Sequence, residues 1–257
     1  MTGRVTLVGG GPGAIDLLTV RAVRALADAD VVLVDRLAPH EELAALAPHA
    51  EIVDVGKTPG HHAVPQREIE VMLVRYAASG AHVVRLKGGD PYVLGRGGEE
   101  VLACHAAGIP VEVVPGVTSA IAVPGAAGIP VTHREVSRLF TVVSGHAPLD
   151  DEELAHLAGL GGTIVVLMGI ATLPSLVAGL ARHGLPPGHP VAVVERGFSA
   201  EQRTTVGTLA DIVGTAARAR VASPAVVVVG EVVRLAHDGE AAAGELMARA
   251  AAMSVIA

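Results

Sequence analysis

Val34-Asp35-Arg36 sets a carboxylate and a guanidinium side by side where a short aliphatic run ends, and Val55-Gly56-Lys57 sets an ammonium at the same point after another. A third run ends in Lys87-Gly88-Gly89-Asp90-Pro91, and Gly95-Arg96-Gly97-Gly98-Glu99-Glu100 follows closely. A carboxylate at such a point is a candidate proton acceptor. Cations at turns along the chain (Arg36, Lys57, Lys87, Arg96 and Arg134) allow an anionic small molecule if they gather locally. Plain alternatives stand beside each reading. Asp35 can cap its turn, Asp90 can be a turn residue before Pro91, and Arg36 or Lys57 can be a solvated surface cation. Thr118 and Ser119 open a helix and can cap it or bind a ligand.

These residues follow segments that read as strands. Apolar runs at 5–8, 31–34, 52–55, 83–86 and 111–114 are short and β-branched, and helical patterns at 16–27, 66–78 and 98–107 separate them. Asp16 is the expected N-cap of the first helix and Gly80 the stop of the second. A second cycle follows, with strands at 139–143, 163–168, 191–194, 203–206 and 225–229 and helices at 151–160, 173–183 and 209–217. The two close strands around Gly197 suggest an antiparallel hairpin. The pattern implies an α/β fold of two α/β domains with mostly parallel sheets covered on both faces. The expected domains are 1–136 and 137–236, followed by an Ala-rich tail at 237–257.

Composition narrows the function. The 257 residues are 51% hydrophobic but 2% aromatic, so the core must be aliphatic. A net charge of −7 disfavours nucleic acid as a partner. The single Cys104 excludes a disulfide within the chain and fits a reducing cytoplasm. No signal peptide is evident, and no apolar run approaches the roughly 18 residues of a spanning helix. A soluble, cytoplasmic protein without membrane association is expected.

Several motifs must be weighed and set aside. Gly9-Gly10-Gly11-Pro12-Gly13-Ala14 satisfies the dinucleotide pattern G-x-G-x-x-G/A, with Asp35 after the next strand. A nicotinamide-dependent oxidoreductase is therefore an alternative. Against it, Pro12 removes an N–H where pyrophosphate needs donors. Gly56-Lys57-Thr58 imitates a phosphate loop, but Glu51 stands where its first glycine is required. The twelve histidines include no H-E-x-x-H, so no metal site is expected, although His61-His62 is a possible pair. There is no nucleophile elbow.

Taken together, the segments resemble the tetrapyrrole methylase family. They are 8–13 (VGGGPG), 34–37 (VDRL), 55–61 (VGKTPGH) with Gln66, 86–100 (LKGGDPYVLGRGGEE) and 114–119 (VPGVTS). Farther on, 166–169 (VLMG), 194–197 (VERG), Gln202-Arg203 and Ser223-Pro224-Ala225 join them. The likeness runs from about Arg4 to Val233. Within the family it points to enzymes that methylate uroporphyrinogen III twice, at C2 and C7, to give precorrin-2 for cobalamin or sirohaem. It implies S-adenosylmethionine as donor, S-adenosylhomocysteine as by-product, a donor cleft between two domains, and a homodimer. The alternative within the family is a methylase of a later corrin precursor. Outside catalysis, a module that senses the donor is conceivable. The length leaves no room for the dehydrogenase–chelatase domain of some members, so the chain alone is expected not to complete sirohaem synthesis.

The resemblance also implies roles. Asp35 would accept the proton and Lys57 would donate one or contact substrate. Pro12, Gly88, Gly89, Asp90, Val93, Thr118, Ser119, Met168, Gly197 and Ala225 would hold the donor. Arg36, His61, Gln66 and Arg96 would meet the substrate, which bears eight carboxylates. Two departures stand out: Ala14 and Ile15 intervene before the acidic Asp16, and Phe198 follows Gly197 where the family has threonine.

Overall fold

The structure, a computed structural model, describes residues 2–40, 42–56 and 64–236. Lys57 and His61 lie outside the described residues, as does the tail from 237. The chain divides into two compact units, Met1–Ser119 and Ala120–Ala257.

The first unit is a five-stranded parallel sheet. Its strands are β1 (Arg4–Gly9), β2 (Val31–Val34), β3 (Glu51–Asp54), β4 (His82–Lys87) and β5 (Val111–Val114), in the order β3-β2-β4-β1-β5. The three inner strands are buried almost without interruption because both faces of the sheet are covered. One core gathers Val8, Leu26, Val32 and Leu86, and the opposite core gathers Leu7, Leu33, Leu73 and Val83. Edge strands β3 and β5 are less covered, with Glu51, Ile52, Asp54 and Glu112 exposed.

Helices α1 (Val20–Ala27), α2 (Leu43–Leu46), α3 (Gln66–Ala78) and α4 (Gly97–Ala106) make the crossovers. Asp16 is not the cap of α1. It sits in a separate 3-10 turn, Ile15–Leu17, and the Thr19 hydroxyl accepts from Ala22 N at 3.1 Å at the start of the helix. Thr19 is the last extended residue before the helix, which is the geometry a cap requires. Gly80 behaves as expected: it follows the end of α3 with φ of 100°.

In the second unit, β6 (Phe140–Ser144), β7 (Thr163–Leu167), β8 (Pro190–Glu195), β9 (Arg203–Thr208) and β10 (Ala225–Val229) are ordered β6-β7-β10-β8-β9. The expectation of a mostly parallel sheet does not hold here. β6 runs parallel to β7, but β7–β10, β10–β8 and β8–β9 are antiparallel. The connection 196–202 between β8 and β9 is too short for a parallel crossover, which takes about a dozen residues. It makes the expected hairpin at Gly197.

Helix α5 (Ser119–Ala126) supplies Ala120 and Val123 to the core formed with Val165, Val194 and Val228. The expected boundary at 136/137 groups this helix with the first domain instead. Helices α6 (Asp151–Leu160), α7 (Leu173–Arg182) and α8 (Ile212–Arg218) pack on the other core, around Leu157, Leu180, Val193, Ile212 and Val227. A reciprocal pair of bonds between Asp150 and Glu153 closes the start of α6. Among the described residues, no helix is long and apolar enough to cross a membrane.

Candidate active site

Because every strand of the first sheet runs the same way, the loops after β1, β2, β4 and β5 open at one edge, where ligand sites of open α/β sheets lie. Backbone packing builds that edge. Gly10 N donates to Lys87 O at 2.6 Å, and Gly11 and Gly89 exchange N–H···O bonds of 3.1 and 2.6 Å. The loops after β1 and β4 are thus joined by a short bridge. A Cβ on Gly116 would fall 2.3 Å from Gly89 O, and one on Gly9 would fall 2.5 Å from Gly116 N. Three chain segments meet there backbone to backbone, which excludes any side chain. Gly88 is confined in the same way by Leu37.

Asp90 locks the arrangement. Its Oδ1 accepts from Tyr92 N at 2.8 Å and its Oδ2 from Gly116 N at 3.1 Å. It is therefore a turn residue, and it also ties the β4 loop to the β5 loop. Each oxygen retains acceptor capacity for a ligand. Pro12, Gly89, Asp90, Val93, Thr118 and Ser119 are all partly exposed along this edge. Gly13 is exposed, with nothing within 4 Å of a Cβ built on it. These loops thus offer backbone and the Asp90 carboxylate to a ligand.

Asp35 follows β2, and its N donates to Leu86 O at 3.0 Å, which extends the pairing of β2 with β4. Its carboxylate faces two cations. Arg85 Nη2 donates to Asp35 Oδ1 at 2.5 Å, and Lys87 Nζ stands 3.9 Å from Oδ2. Behind them, Glu100 Oε1 accepts from Lys87 Nζ at 2.9 Å, from Arg85 Nε at 3.1 Å and from Gln66 Nε2 at 3.2 Å. Arg85 Nη1 also donates to Leu33 O and Leu86 O, both at 3.2 Å. Burial, reinforced by Arg85, lowers the Lys87 ammonium pKa against the opposing pull of Glu100 and Asp35.

Sequence reasoning did not single out Arg85, Lys87 and Glu100 as one group. A signal was present: two cations at alternate positions in an aliphatic strand share a face, and burying them demands a carboxylate. Gln66, expected at the substrate, spends its amide on Glu100. Arg36 is exposed beside Asp35. Arg96, in the left-handed region at φ of 59°, precedes α4 and holds Glu99 in a fork of 2.9 and 2.6 Å. That bond raises the Arg96 pKa and holds the Glu99 carboxyl below the usual range.

In the second unit, Met168, Gly197 and Ala225 share one edge of the sheet. Ala225 pairs with Glu195 and Val226 with Leu167, so β10 begins where β7 and β8 end. Met168 is exposed with φ of 61°. A Cβ on Gly197 would meet Val123 at 2.7 Å, so glycine lets the turn lie on α5. Phe198 N donates to Gln202 Oε1 at 2.8 Å, and Gln202 Nε2 donates to Ala126 O at 3.1 Å.

The family of tetrapyrrole (corrin/porphyrin) methylases matches residues 4–213. The chain is 50% identical to an S-adenosyl-L-methionine-dependent uroporphyrinogen III methyltransferase of Methanosarcina barkeri, over 92% of this chain and 94% of that protein. It is 49% identical to a siroheme synthase of Gluconacetobacter diazotrophicus, over 90% of this chain but only 50% of that protein. A crystal structure of uroporphyrin-III C-methyl transferase from Thermus thermophilus, complexed with S-adenyl homocysteine, superposes with a TM-score of 0.76 at 44% identity. The match covers 91% of this chain and all of that one. The chain belongs to the tetrapyrrole methylase family.

Proposed function

We propose that this protein transfers two methyl groups from S-adenosylmethionine to C2 and C7 of uroporphyrinogen III, giving precorrin-2. The observation that carries the reading is the 50% identity, across nearly the whole chain, to a uroporphyrinogen III methyltransferase. The edge of the first sheet supports it chemically. A donor with an ammonium group and ribose hydroxyls would find the Asp90 carboxylate and the close backbone of Gly88 and Gly89. Pro12, Val93, Thr118 and Ser119 would flank it. The same reading assigns Met168, Gly197 and Ala225 to the donor.

Bound S-adenosylmethionine supplies a methyl group already activated by its sulfonium. The protein's part is therefore placement and charge. In each transfer a bond forms between a pyrrole carbon and the methyl, the S–CH3 bond breaks, and S-adenosylhomocysteine leaves. The macrocycle loses a proton as the product settles, and Asp35 accepts it. Lys57 supplies a proton or a contact to the substrate. Arg36, Arg96 and His61 pair with its carboxylates, while Gln66 acts through Glu100. A homodimer in the cytoplasm completes the reading; the buried, unpaired thiol of Cys104 is compatible with a reducing compartment.

The test is an anaerobic incubation of purified protein with S-adenosylmethionine and uroporphyrinogen III, followed by product mass. A gain of two methyl groups is expected. Donor binding without transfer to intact substrate would redirect the assignment to a methylase of a later corrin precursor.

A further inference from the structure

We infer that Glu100, Arg85 and Lys87 form a buried positioning network in which Glu100 anchors two cations of β4, so that these fix and charge-balance the Asp35 carboxylate. The inference rests on Asp35 being the proton acceptor.

The four charges are not distributed as a stabilising surface network would be. The side chains of Arg85, Lys87 and Glu100 are 1%, 4% and 0% exposed, whereas that of Asp35 is 31% exposed. Every charge converges on the one carboxylate that reaches solvent. Two cations and two carboxylates cancel formally, so the group can be buried without net charge. It remains costly: burying ions sacrifices hydration, and apolar side chains of the same volume stabilise as well or better. Glu100 Oε2 is buried with no hydrogen-bond partner among the described residues, a further cost without a packing benefit. Stability does not account for this network, whereas placement of Asp35 does. The Arg85 guanidinium is itself immobilised by two carbonyls and Glu100, so its bond to Asp35 comes from a fixed donor.

Among the described residues, the charged and titratable groups around Asp35 are Arg85 and Lys87 from β4, Glu100 behind them from α4, and Arg36 and His40 from its own loop. His40 Nε2 lies 2.9 Å from Asp35 O. Glu100→Gln keeps the shape of the network but leaves one uncompensated positive charge, which favours ionised Asp35. Lys87→Met removes a cation and does the opposite.

The experiment measures kcat against pH for the whole protein, with S-adenosylmethionine and uroporphyrinogen III. S-adenosylhomocysteine affinity is followed separately by calorimetry. Both variants should lose about tenfold or more in kcat while S-adenosylhomocysteine affinity stays unchanged. The acid limb of the profile should move to lower pH in Glu100→Gln and to higher pH in Lys87→Met. Limbs that are absent, stay in place or move together would overturn the inference, as would a loss of affinity parallel to the loss of rate. Should Glu100→Gln fail to fold, Lys87→Arg must restore the limb and most of the rate lost in Lys87→Met; failure to do so overturns the inference equally. Asp35→Asn separates the two levels. Wild-type turnover in that variant would remove Asp35 as acceptor, whereas an inactive Asp35→Asn with unmoved limbs would remove only the network.

Discussion

Arg85 Nη2 lies 2.5 Å from Asp35 Oδ1, and the same guanidinium reaches Glu100 through Nε, so one buried side chain joins the end of β2 to α4. Replacing it with methionine keeps much of the volume but removes a cation from between two carboxylates. Among the described residues, Glu100 would remain fully buried with only Lys87 and Gln66 as partners. Arg85→Met should destabilise the first unit by about 3–5 kcal/mol, the usual cost of stranding a buried charge. Equilibrium denaturation in urea measures it.

Gly116 offers a second test. Its Cβ would lie 2.3 Å from Gly89 O and 2.6 Å from Gly9 C, and neither backbone atom can rotate away. Gly116→Ala should cost about 1–3 kcal/mol from overpacking and weaken S-adenosylhomocysteine binding, because the loops after β1 and β4 must part. Gly13→Ala meets nothing within 4 Å but has φ of 121°, so its cost should come from backbone strain alone. Thermal unfolding together with calorimetric titration separates the two effects.

Asp90 and Lys57 should divide binding from turnover. Asp90→Ala removes acceptors from Tyr92 N and Gly116 N and takes away the carboxylate proposed for the donor. Donor affinity should fall about tenfold or more, one such step being worth about 1.4 kcal/mol. Lys57→Ala should leave donor affinity intact and reduce turnover. Equal donor affinity in wild type and Asp90→Ala would refute the assignment of that residue.

Acid sensitivity should centre partly on Glu195. Burial alone would raise its pKa, but the Arg203 fork at 2.8 and 2.9 Å and the Ala222 N–H outweigh burial and hold it below the usual carboxylate range. The folded state therefore binds this proton less readily than the unfolded one. The stabilisation is present above the unfolded pKa of about 4.3 and disappears as pH falls through the lower folded value. Glu195→Gln should lose stability at pH 7 relative to wild type, and the gap should narrow on acidification. Denaturation midpoints at neutral and acidic pH show whether it does.

The α/β class was legible because hydrophobic periodicity is local. The aliphatic runs ending at Val8, Val34 and Leu86 announce strands covered on both faces, and the intervening amphipathic segments announce the crossovers. The hairpin at Gly197 was legible from its short spacing. The direction of the remaining strands in the second sheet was not, because no local pattern in Ala225–Val229 records which neighbour it will join or how it will run. The cap of α1 was misread for a related reason. Asp16 and Thr19 are both competent caps, and the local path of the chain leaves Thr19 as the residue before the helix.

By itself, the sequence determined which residues stand at strand ends. That follows from strand length, and it placed Asp35, Gly88, Gly89 and Asp90 at one edge of a parallel sheet. Tertiary structure alone decided what those residues touch. Asp90 binds Gly116 N from 26 positions away, and Glu100 becomes the counter-ion of Arg85 and Lys87 only because α4 folds back over β4. Charges separated along the chain acquire partners when burial removes their water, and the fold selects which partners remain within reach.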